Sequence, residues 1–136
     1  MTVRGTFDTP SPTSWPASDL TWLRGSLVAV WLWTAVVSVA ELHGQSAQLL
    51  HAAGVASPRW SAGLIWAGAA LDTVLGLALW FAPRRAVFAL AAISMLVMTA
   101  IATWLLPPLW WHPLGPLSKN LPLLAIVVVL WKEARA

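Results

Sequence analysis

Residues 60–82 read WSAGLIWAGAALDTVLGLALWFA, apolar almost throughout, with one charge, Asp72, near the middle. At ~1.5 Å per residue a helix of this length crosses a hydrocarbon layer ~30 Å thick, and Asp72 then lies deep within it. A carboxylate at that depth is costly in lipid. It faces a bundle interior or a cavity, and it marks a functional site whose partner has to be found on another helix. Gly68 and Gly76 sit one turn to either side of Asp72 on the same face, where small residues let a second helix approach closely. That spacing turns Asp72 inward.

The rest of the composition fits a membrane. Of 136 residues, 59% are hydrophobic and only 10% charged, against roughly 25% charged in soluble domains. The chain is short enough to be a single domain, and three or four spans use nearly all of it. Its net charge of +3 comes from basic residues scattered singly or in one pair, which is no nucleic-acid patch. There is no cysteine, so disulfides, thiolate metal sites and CxxC relays are excluded. Any redox role must use a bound cofactor or a partner.

Outward from residues 60–82 the chain divides cleanly. Residues 1–19, MTVRGTFDTPSPTSWPASD, are polar, rich in Pro, Ser and Thr, and lack the apolar core of a secretory signal. They are expected to form a disordered cytoplasmic arm. A first span is expected at about 22–42, with Thr34, Ser38 and Glu41 recurring at helical spacing as one polar stripe. Residues 43–59 are broken by Gly44, Gly54 and Pro58 and cannot span, although Ser46 to Ala53 suits a short helix at the membrane surface. Residues 86–106 are an uninterrupted uncharged run ending at Pro107-Pro108, and form the third span. The apolar run Leu121 to Trp131 covers only ~16 Å as a helix, so a fourth span has to begin near Pro116 and run to 131. The expected fold is all-α: an integral membrane four-helix bundle over residues 20–136, with short loops and a short interfacial helix between spans one and two.

Orientation follows from the basic residues. With the N-terminus inside, the inner side holds Arg4, Arg24, Arg84, Arg85, Lys132 and Arg135, and the outer side only Arg59 and Lys119. Trp22, Trp80 and Trp131 then fall at the inner interface and Trp60, Trp104, Trp110 and Trp111 at the outer one, as an aromatic belt requires. Both termini are expected in the cytoplasm.

In this topology Glu41, His43, Asp72, His112, Lys119 and Asn120 all come from the outer half of the membrane and compose a candidate buried polar cluster. Lys119 is the natural counter-charge for Asp72 or Glu41, because its stem can reach inward. Two other readings stay open: Asp72 as a working proton or ligand site, and Asp72 touching neither. No metal is expected. The spacings Glu41-x-His43 and His43 to His51 match no ligand template, and HExxH is absent. The outer tryptophans suit either a belt or the floor of a quinone pocket. No G-x-G-x-x-G, P-loop or G-x-S-x-G is present, so nucleotide binding and acyl-enzyme chemistry have no motif.

Three motifs together carry a family resemblance. Arg24-Gly25 opens the first span, Gly68-Ala-Ala-Leu-Asp72-x-x-x-Gly76 occupies the second, and Trp111-His112-Pro-Leu-Gly-Pro-Leu-Ser-Lys119-Asn120-Leu-Pro122 precedes the fourth. From about Trp22 to Glu133 the chain resembles the DoxX-like family of small bacterial membrane proteins. The resemblance implies four membrane helices and an association with redox systems. DoxX is named for a subunit linked to quinone-dependent sulfur oxidation, and relatives occur fused behind NAD(P)-binding domains. It implies no catalytic set, but Asp72, Lys119 and Asn120 match the pattern. The function expected is an accessory or quinone-side component of a membrane redox system. The bilayer and an NAD(P)-binding or other redox protein would be its partners, with no nucleic acid. A non-redox binding or transport module using Asp72 as a proton or solute site is the alternative, and a purely structural membrane partner a third.

Overall fold

The computed structural model describes residues 15–111 and 117–134. The chain is helical throughout these segments: α1 is Ala17–Ala40, α2 Gln45–Ala52, α3 Pro58–Phe81, α4 Arg85–Leu105 and α5 Asn120–Glu133, with a 3-10 turn at Pro107–Trp110 between the last two. Among the described residues, three helices, α1, α3 and α4, are long and apolar enough to cross a membrane. Of the arm expected at 1–19, residues 1–14 lie outside the described residues, as does the expected start of a fourth span at Pro116, while Ala17 to Asp19 belong to α1.

Prolines and glycines set the boundaries. α1 opens directly after Pro16 and α3 has Pro58 in its first turn, positions where the missing N–H costs nothing. α2 ends on Gly54 at φ 93°, with the amides of Gly54 and Val55 bonded back to His51 and Leu50. This is a left-handed helix stop that glycine accepts without strain. The fourth long helix expected at 116–131 instead starts at Asn120, after a turn at Leu117 to Lys119, and has 14 residues. That is about 21 Å of helix, short of the ~30 Å layer.

α1 packs most extensively on α3, and α4 on α5; α5 also touches α1, and α3 touches α4. The shared core draws on four helices. Leu27 and Trp31 of α1, Leu75 and Leu79 of α3, Phe88, Ala91 and Met95 of α4, and Val127 and Leu130 of α5 are all buried. They come from the C-terminal half of α3 and the N-terminal half of α4, so the core is concentrated at the end of the bundle where the α3–α4 turn lies. Two arginines close that end. Arg24 stacks over the ring of Trp80, 5.3 Å from its centroid, with its Nε buried and no hydrogen-bond acceptor among the described residues. Arg85 lies over Trp131 at 5.5 Å and donates to the carbonyls of Ala134 (2.9 Å) and Lys132 (3.3 Å), where a cation suits the negative end of α5.

The outer surface is apolar. Trp33, Val36, Val74, Ile93, Val97 and Trp104 are all exposed, which water would not tolerate in such density and lipid requires. Inside, Gly76 is the helical glycine closest to a neighbouring helix, where an added Cβ would stand 3.0 Å from Leu32 Cδ2 and 3.3 Å from Trp31 Cβ. Gly68, its expected counterpart, has nothing within 4 Å. Gly76→Ala is therefore expected to destabilise the protein by about 1–3 kcal/mol through overpacking, and Gly68→Ala by no more than about 0.5 kcal/mol. Unfolding of both variants in one detergent checks the contrast.

Candidate functional site

Above the core the helices part and leave a cleft of about 200 Å³. Its floor is Trp31 and Met95, both core residues, and its apolar walls are Val30, Met98 and Leu123. Four polar side chains face it: Thr34 of α1, Asp72 of α3, Ser94 of α4 and Asn120 of α5. Asp72 reaches this position because Gly76, one turn away, seats α3 against α1 and rotates that face inward. The carboxylate, half-buried, has no hydrogen-bond donor and no cation within ion-pair distance among the described residues.

The other polar groups are tied to the framework. The Thr34 hydroxyl donates to Val30 O at 2.8 Å. Asn120, the first residue of α5, donates its amide to Thr99 Oγ1 of α4 at 2.7 Å. One turn further on, the Thr103 hydroxyl donates to Thr99 O (2.6 Å) and receives the indole N–H of Trp110 at 3.0 Å. The α4–α5 connection is thereby held to α4 by side-chain bonds, the polar glue of membrane bundles.

Asp72 and Asn120, of the six residues proposed from sequence, meet at the cleft. Lys119 is exposed in the turn before α5 and forms no ion pair with Asp72. Glu41 is half-buried at the end of α1 and lies against Gly44, so that a Cβ there would run into its carboxylate. His43 is exposed, and His112 lies outside the described residues. Sequence reasoning missed Trp31, Ser94, Met95, Met98, Thr99 and Thr103. A weak signal existed in Met95, Thr99 and Thr103, which follow one another at i, i+4 along a single face of α4. On the far flank of the α1–α3 pair lies a wider, almost wholly apolar groove of about 870 Å³, lined by Val36, Val39, Trp66 and Ala70 among others.

Apolar helices of membrane-crossing length, packed around an apolar core with a polar cleft beside it, define a multi-pass α-helical membrane protein. The model of the DoxX-like family matches residues 28–128, and the chain belongs to that family. No curated protein and no solved structure matches it.

Two double-mutant cycles follow from this geometry. Asp72→Asn and Lys119→Met are expected to combine additively, to within about 0.5 kcal/mol, because the two side chains do not pair. Asn120→Ala and Thr99→Ala should instead show a coupling of about 0.6 kcal/mol, and no more than about 1.7 kcal/mol, the range of interhelical hydrogen bonds in membranes. Reversible unfolding in detergent reads both cycles.

Proposed function

We propose that the chain is a four-span protein of the cytoplasmic membrane, with both termini on the inner side, that serves a membrane redox system as an accessory, quinone-side subunit. α5 is the fourth span, completed by the turn from Leu117 and drawn into the bundle by Val127 and Leu130, both buried. Arg24, Arg84, Arg85 and Lys132 lie at the inner end with Trp80 and Trp131, while Arg59 and Lys119 lie at the outer end, in keeping with the positive-inside bias. Glu41, His43 and Lys119 belong to the outer approach to the cleft.

One observation carries the reading: an acid with no cation beside it among the described residues, midway along a membrane helix, opens into a cleft with a tryptophan floor, two thioethers and an amide. Such a site binds a small, partly polar ring. At about 200 Å³ it is smaller than the roughly 300–1,000 Å³ of drug-sized sites. It has room for one ring head, whose tail extends into the bilayer. An NAD(P)-binding or other redox partner supplies the electrons. The same unpartnered acid also favours a second reading, a proton or solute site in a non-redox transport module.

Purified in mild detergent, the protein should carry about one quinone per chain on solvent extraction. Asp72→Asn should weaken binding of the reduced, dihydroxy form of that quinone roughly tenfold, the loss expected for one hydrogen bond to a charged group. A preparation free of quinone, together with solute uptake into liposomes that depends on Asp72, would reject the redox reading in favour of the second.

A further inference from the structure

Resting on the quinone reading of the cleft, we infer that the site holds the reduced, dihydroxy form of the ring in preference to the oxidised, dicarbonyl form. The hydrogen-bonding capacity left over in the lining decides this. Thr34 has spent its hydroxyl hydrogen on Val30 O and presents only lone pairs. Asn120 has spent one amide hydrogen on Thr99 Oγ1 and keeps its Oδ1 as an acceptor. Asp72 adds two carboxyl oxygens that no described residue occupies, and even with a proton on one of them the other still accepts. Against these stand two unspent donors, the Ser94 hydroxyl and the second amide hydrogen of Asn120. Among the described residues no lysine, arginine or histidine lines the cleft.

A quinone offers two carbonyl acceptors and nothing to donate. Inside this lining its carbonyls have only the Ser94 hydroxyl and the second Asn120 amide hydrogen to accept from, and it leaves the acceptors of Asp72, Asn120 and Thr34 without partners. A hydroquinone of the same size and shape brings two O–H groups to them. The apolar walls do not discriminate, because Trp31, Met95 and Met98 contact either ring face alike. Selection therefore falls on the hydroxyls, as in sites built to bond a substrate O–H, which reject the analogue lacking it. Tighter binding of the reduced form also raises the midpoint potential of the bound couple, by about 30 mV for each tenfold of preference in a two-electron couple.

The test is anaerobic equilibrium dialysis of the full chain in lipid nanodiscs, with empty nanodiscs as the partition blank. The probes are tetramethylhydroquinone and tetramethyl-p-benzoquinone. The hydroquinone is expected to bind at least tenfold more tightly. Asp72→Asn, which exchanges an acceptor for an amide donor, should bring the two affinities within about threefold of each other, since a tenfold preference is worth a single bond of this kind. Ser94→Ala removes one of the unspent donors and should widen the preference. Equal or tighter binding of the benzoquinone by the unaltered chain overturns the inference and leaves the quinone reading standing. Binding of neither probe above the blank removes the quinone reading itself.

Discussion

The close approach of α1 to α3 at Gly76 is the constraint on which the rest of the structure depends. With no side chain at Gly76, the stems of Trp31 and Leu32 lie directly on the backbone of α3, and between helices in lipid such packing replaces the hydrophobic force that water would supply. That contact sets the rotation of α3 about its own axis. Asp72, one turn back, then faces the bundle and not the acyl chains, and Leu75 and Leu79 enter the core beside Leu27. A methyl group at Gly76 would therefore disturb more than one contact, since it is the rotation of the helix that keeps a carboxyl group out of hydrocarbon.

From this pair the bundle divides along its length. At the arginine end, α3, α4 and α5 converge on Phe88, Val127 and Leu130, and cation–π stacks at Trp80 and Trp131 close the boundary with the headgroups. Toward the other end polar bonds hold α5 and the turn before it to α4, Asn120 to Thr99 and Trp110 to Thr103, and the helices part enough to leave the cleft. The division is physically reasonable. Apolar packing keeps one end rigid without specifying chemistry, and directional bonds hold the polar end open while fixing which atoms face the opening.

Much of this was legible in the sequence because lipid imposes strong rules. Long uncharged runs, prolines at their edges and a lone internal acid are enough to place three membrane-length helices and to turn Asp72 inward. What was not legible depended on where α5 begins. A span started near Pro116 would carry Lys119 inside the helix and bring its stem toward Asp72. The helix starts at Asn120, so Lys119 stays in the turn, exposed, and Asn120 arrives at the cleft in its place. Pro122 and the shortness of the apolar run left that register open. Thr99 and Thr103 were hidden for another reason: a threonine within an apolar helix usually satisfies its hydroxyl on its own preceding turn, as Thr34, Thr73 and Thr103 do here, so its presence carries little information.

The way in which the polar groups are spent also bears on what the cleft can do. Thr34 and Asn120 hold their orientation through bonds to the protein itself, so the lone pairs they present are aimed before any ligand arrives. A ligand that uses them does not have to order them. Asp72 lacks such a tie among the described residues and stands as the one ionisable group in the lining, whose electrostatics the occupant has to complete. In a medium of low dielectric that completion is worth more than it would be in water. Whatever fills the cleft therefore has to bring a hydrogen or a positive partial charge to Asp72 and an apolar face to Trp31. Few kinds of small molecule that dissolve in a bilayer meet both demands.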